Sequence, residues 1–320
     1  MNWKDALLLS DMPLEFAAAR VLVSEGFSVN SDFRYAWGEE EAGKDTAVDL
    51  HGKLLSPFPE SPEKFLLTEV LADCIHRRPD TVGIFLPDPN PPGASPLPSG
   101  KSIRLMDQFS AFVMERESIR AFDTSLPFCY KGLEVNLKSG ETDENVFRKG
   151  LWHLQNPLPR LITDNILDFL SGPRENNRPF LFCPVLLTTS ALYVMKADIS
   201  MEEIERVSEV RELGEEVPWL LMYADMSPVF RKRCMDESAR LNSLLRTEKA
   251  MEIEMRKARY YNSRLHLPFT IIDALNAADY YYMSIFFSRF VICSYTRFAE
   301  LIRKIKETAL TALSTLEEVI

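Results

Sequence analysis

Apolar residues near the start of the chain fall at positions 14, 17, 18, 21 and 22, the spacing of one helical face, with Pro13 before them and Gly26 after them. A helix is expected there. The stretches FSVNSDFRYAW (27 to 37) and TAVDLHGKLL (46 to 55) read as strands, and the turn-forming GEEEAGKD between them predicts a hairpin. After the proline-rich SPFPESP, residues 68 to 87 (TEVLADCIHRRPDTVGIFLP) predict a strand, a turn and a fourth strand. The loop DPNPPGASPLPSGK that follows is expected to be a solvated spacer, or else a mobile lid over a site. Further on, PFCYKGLEVNL reads as a strand, DENVFRKGLWHLQNPLPRLITDNILDFL as a helix broken at Pro157 and Pro159, and PFLFCPVLLTTSALYVMK as two strands or one bent strand. With a helix over 201 to 211 and VPWLLMYA after it, this alternation predicts an α/β domain over residues 1–225, a mixed central sheet flanked by helices. Residues 226–320 read as long helices and predict an α-helical C-terminal region.

One strand breaks the pattern. Side chains alternate across a strand, so positions 69, 71, 73, 75 and 77 share a face, which then holds Glu69, Leu71, Asp73, Ile75 and Arg77. Carboxylates on a covered face are unfavourable unless paired or bound to a metal, whereas on an edge strand they are simply solvated.

Bulk composition narrows the function classes. With 320 residues and 46% apolar content the chain can bury a full core. A net charge of −10 argues against general charge-driven binding to nucleic acid or anionic membrane and leaves only local contacts. Five cysteines without a C-x-x-C pair indicate neither a zinc site nor a disulfide framework, which fits a reducing cytoplasm. The N-terminal MNWKDALLLSDMPLEF lacks a cleavage pattern, and YYYMSIFFSRFVICSY is interrupted by Arg289 and falls short of the roughly 20 residues that span a bilayer. A buried helix is expected from the latter, and no membrane contact.

The phosphate-loop, dinucleotide, nucleophile-elbow and zincin motifs are all missing, and the four histidines show no ligand spacing. What remains is a set of carboxylates in ordered elements: Glu15, Asp49, Glu69 and Asp73. On these the chain resembles the PD-(D/E)XK nuclease superfamily, which has the restriction-endonuclease-like fold. The likeness runs through PLEFAAARVLVSEGF, FSVNSDFRYAW, AVDLHG and LADCIHRRPDTVGIFLPD, then more loosely through KGLEV, the helix with Leu154 and Gln155, and PVLLTTSALYV. It covers about residues 12 to 225.

The resemblance implies a Mg²⁺ site with Asp49 and Asp73 as carboxylate ligands, the Cys74 carbonyl as a third and Glu15 as an auxiliary acid. Glu69 then shares the Asp73 face of the strand. The position of the family's lysine is Ile75, and isoleucine can neither hold a phosphate nor assist water. Replacement cations would be Arg77 on the same face, or Lys53 or Lys64 from a neighbouring strand. The implied function is a metal-dependent endonuclease acting on DNA in bacterial genome maintenance or defence. Ile75 opens an alternative, a catalytically degenerate copy serving as a binding or assembly subunit, and a third reading is an α/β scaffold with no metal site.

Two surface readings complete the picture. HRRP (76 to 79), RKR (231 to 233) and RKAR (256 to 259) are candidate phosphate contacts. The stripe at 298, 301, 302, 305, 309, 310, 313 and 316 predicts either core packing or a face for a partner or for self-association.

Overall fold

Helices α1 (Trp3–Leu9) and α2 (Met12–Ser24) open the chain in a computed structural model. The structure describes residues 2–34, 47–57, 62, 65–90, 94–98, 100–106, 112–114, 116–171, 179–244 and 280–315. α2 turns Leu14, Ala18 and Leu22 inward, as the spacing predicts. It stops where Gly26 adopts φ +92°, which lets the Gly26 and Phe27 N–H groups reach back to the Val23 and Leu22 carbonyls at 3.0 Å each. That reversal delivers the chain into β1 (Ser28–Arg34), which pairs antiparallel with β2 (Ala47–Pro57) as the expected hairpin.

β2 continues antiparallel into β3 (Phe65–Ile75), and β3 lies parallel to β9 (Phe180–Thr188). β3 is therefore an interior strand, and the solvated-edge reading of its acids does not hold. Beyond β9 the sheet runs through β13 (Arg289–Ser294), β12 (Trp219–Tyr223), β7 (Phe128–Asn136), β4 (Thr81–Pro87), β10 (Ala191–Met195) and β11 (Gly214–Val217). Short β5 (Arg104–Met106) joins β9 and β8 (Thr142–Asp143) joins β7, while β6 (Phe112–Met114) and β14 (Leu313–Thr315) form a separate pair.

Helices cover both faces of this mixed sheet. One face packs against α4 (Val146–Gln155), α5 (Leu158–Ser171), α8 (Pro228–Leu244) and α9 (Tyr280–Phe287), through Phe147, Leu151, Ile162, Phe230 and Phe287. The other packs against α2, α3 (Arg116–Thr124) and α10 (Phe298–Thr311). Short α6 (Met201–Arg206) and α7 (Val210–Leu213) lead into β11. The break between α4 and α5 falls at Asn156 and Pro157, as the prolines predict. All five cysteines are buried and free.

The C-terminal region corrects the sequence reading. Residues 289 to 294 form a strand in the middle of the sheet, so a boundary at residue 225 would cut through one hydrogen-bonded ladder. The region is not purely helical. The stripe residues Phe298, Leu301, Ile302, Ile305 and Ala309 are buried in the second core, so these positions are closed to a partner by the protein itself. Residues 245 to 279, RKAR among them, lie outside the described residues. Among the described residues no helix is long and apolar enough to cross a membrane.

Two aromatic rings fix how closely α4 sits on the sheet. A Cβ at Gly132 would fall 2.6 and 2.7 Å from the Phe85 ring and 3.3 Å from Phe147, and both rings are buried. Gly132→Ala is thus expected to destabilise the protein by about 1 to 2 kcal/mol, read from the urea midpoint. An unchanged midpoint would show that the Phe85 ring has room to turn aside.

Candidate functional site

Backbone pairing between β2 and β3 runs from Pro57↔Phe65 to Leu50↔Ala72. Beyond that pair a side chain takes over, because the Asp49 Oδ2 accepts the Cys74 N–H at 2.7 Å. Asp11, at the start of α2, repeats the device, its Oδ1 accepting the His76 N–H at 2.6 Å. Glu15 stands about one turn further along α2, and its charge reaches Asp49. From the opposite layer α4 contributes His153, whose Nδ1 lies 3.7 Å from Asp73 Oδ2. Four acids and one imidazole therefore gather at the carboxyl end of β3.

Electrostatics follow from that crowding. Burial, and then the Asp73 charge, push the Asp49 pKa up to about 8; the Cys74 amide opposes them, and the Glu15 and Asp11 charges add to the rise. Asp49 thus holds a proton at neutral pH. Burial and the same carboxylates push the Cys74 thiol up, which makes it an inert side chain. The contact with Asp73 raises the His153 pKa against the opposing effect of its burial, so its cationic form is favoured beside the acids.

Glu69 belongs to a different centre on the same strand. Its carboxylate is fully buried, with His51 Nε2 at 3.1 Å and Lys53 Nζ at 3.0 Å from Oε1, and the Asn165 amide donating to Oε2 at 2.7 Å. Lys53 is its direct cross-strand neighbour, and Asn165 comes from α5, where it also bonds the Leu161 carbonyl. Burial drives the Glu69 pKa upward, but the His51 and Lys53 contacts together outweigh it and hold the carboxyl below its ordinary value. The cluster is a charged clasp between α5 and the hairpin, and a hollow of about 340 Å³ opens beside it between Phe33, Asp164 and Asp168.

The remaining candidates are placed elsewhere. β3 ends at Ile75, so alternation does not carry Arg77 to the acids; its guanidinium instead meets Glu134 at 2.7 Å. Ile75 is 7% exposed and packs in the apolar core beneath α4. Gln155 is buried and donates to the Phe287 and Asp225 carbonyls, away from the acid pair. Lys64 lies outside the described residues. Sequence reasoning missed His153 and the partners His51 and Asn165, since each is brought in by a helix or a cross-strand register rather than by a motif.

The family's Mg²⁺ can be tested against these side chains. Among the described residues no group of three or more His, Cys, Asp or Glu is arranged to hold a metal ion. Asp49 already gives one oxygen to the Cys74 amide and carries a proton near neutrality. A divalent ion at this pair would first have to displace the Asp49 proton, which would make its binding weak and pH-dependent. No protein-family model matches the chain, and no curated protein or solved structure matches it either.

Proposed function

We propose that the chain is a PD-(D/E)XK nuclease-like protein, with a restriction-endonuclease-like core, that keeps the paired aspartates and has lost the lysine. On this reading it engages DNA locally as a binding subunit, with weak divalent-ion binding and little or no strand cleavage. The observation that carries the proposal is Ile75: the position of the family's lysine is an apolar side chain packed in the core. Part of the fold supports it too: α2, the β1–β2 hairpin, β3, α4 and β9 are neighbours at one end of the sheet, whereas β4, β7 and β10, which carry the rest of the likeness, lie beyond β13 and β12 toward the other end. Neither Lys53 nor Arg77 replaces the missing cation, since each is paired to a carboxylate of its own, Glu69 and Glu134.

His153 favours a second reading. An imidazole 3.7 Å from Asp73 offers a cation and a proton carrier where the lysine is missing, which is the arrangement an atypical active nuclease would need. One experiment separates the two: supercoiled plasmid incubated with Mg²⁺ or Mn²⁺, beside a mobility-shift titration of the same DNA at two salt concentrations. A salt-sensitive shift without nicking is expected. Nicking that requires metal and is abolished by both Asp73→Ala and His153→Ala would overturn the degenerate reading in favour of the second, and absence of both shift and nicking would overturn both.

A further inference from the structure

Away from both carboxylate centres, a cleft of about 630 Å³ opens between α4, the start of β7 and the carboxyl end of β12. Its volume falls in the range of small-molecule sites, roughly 300 to 1,000 Å³. Two aromatic side chains stand partly open in its wall, Tyr130 at 41% and Trp152 at 39% exposure. Trp152 is held in place from behind by Arg233, a buried residue whose guanidinium lies 5.5 Å from the ring centre and donates to Asn156 Oδ1 at 2.7 Å.

Charge in the cleft runs against that of the whole chain. Of its two acids, Glu144 is matched by Lys131 at 3.6 Å and Asp225 accepts the Met226 N–H at 2.8 Å. Arg148 and Lys149, both exposed, form no ion pair among the described residues; Arg148 donates only to the neutral Asn145 side chain. They sit in the first turn of α4, where the N-cap Asn145 makes no side-chain capping bond and the backbone N–H groups add positive potential. Gln155, 1% exposed, also lines the cleft; its amide nitrogen donates to the Phe287 carbonyl at 2.8 Å, while its Oε1 accepts no hydrogen bond among the described residues.

We infer that this cleft binds a mononucleotide, its base against Trp152 and Tyr130, its phosphate held by Arg148 and Lys149, and a base N–H donated to Gln155 Oε1. A neutral aromatic ligand would leave the two cations unused, and an inorganic anion would leave the aromatic wall and the Gln155 acceptor unused. The inference stands apart from the aspartate pair: α4 presents Arg148, Lys149, Trp152 and Gln155 to the cleft, and His153 to Asp73.

Titration calorimetry of the full chain with the four 5′-ribonucleoside monophosphates, adenosine and inorganic phosphate tests it. At least one nucleotide is expected to bind saturably, with adenosine and phosphate each at least about tenfold weaker. Trp152→Leu and the pair Arg148→Gln and Lys149→Gln should each weaken that nucleotide by about tenfold or more while the melting temperature stays unchanged. A short single-stranded DNA in the same cell tells a nucleotide unit within a strand from a free nucleotide, and tight binding of either that is sensitive to the same substitutions supports the site. No saturable binding of any of these by about 5 mM, phosphate alone binding as tightly as the nucleotide, or binding indifferent to all three substitutions would overturn it. Cleavage assays do not enter this test, so its failure and that of the nuclease-like reading are read separately.

Discussion

Ile75→Lys is expected to weaken the fold by about 3 to 5 kcal/mol at pH 7 and to leave DNA uncut, even though it restores the residue type of the family motif. The reason lies in the packing above β3. Ile75 Cδ1 lies 3.2 Å from where a Cβ on Gly150 would stand, and Leu186 is closer still, so α4 is seated directly on this side chain. A lysine there must either lever α4 away or bury its ammonium among apolar groups. The neighbouring acid offers little relief, because Asp73 is already engaged with His153. Burial lowers the pKa of such a lysine below its unfolded value, so the unfolded state binds the extra proton and stability recovers as pH rises toward 10. Urea midpoints of the variant and the parent at pH 7 and pH 9.5 should therefore converge at the higher pH, while Ile75→Met, close in volume, should stay within about 1.5 kcal/mol at both. A variant as stable as the parent that also gains Mg²⁺-dependent nicking would show that the lysine pocket is still open.

The parts of this fold that periodicity could reach are those with a clean alternation or a clean helical stripe. The α2 face, the β1–β2 hairpin and the proline break between α4 and α5 all have local causes, and local causes are written in sequence. β13 was hidden because it follows α9 without a polar interruption longer than Ser288 and Arg289, and a continuous apolar run carries no period to tell strand from helix. The acids were legible as a puzzle but not as two separate centres. Splitting them requires the register that sets Lys53 against Glu69, which depends on the length of a turn, and the arrival of Asn165 and His153 from helices about 100 and 80 residues downstream of their partners. Arg77 failed as a site residue for a simpler reason, since alternation holds only while the strand lasts.

Asp49→Asn is expected to stabilise the protein by about 2 to 4 kcal/mol at pH 8, with the gain fading to nothing near pH 4. A folded-state pKa of about 8 against the ordinary 3.8 means that the native protein keeps a proton the unfolded chain has released between those values. Through that window the unfolded state binds fewer protons, so the parent loses stability as pH rises and levels off above pH 8. Asparagine has no proton to lose there, yet its Oδ1 can still accept the Cys74 N–H that Asp49 accepts at 2.7 Å. The difference between variant and parent can grow by at most about 1.4 kcal/mol per pH unit, and the charge shared with Asp73 keeps it below that ceiling. Ion binding has the opposite dependence. Mn²⁺ must displace the Asp49 proton, so it should stabilise the parent by about 1 to 3 kcal/mol above pH 8, less at pH 6, and the variant not at all. Parallel stability curves for parent and variant from pH 4 to 9 would mean that Asp49 ionises like an exposed carboxylate, and the crowding of acids at the end of β3 would then have no energetic consequence.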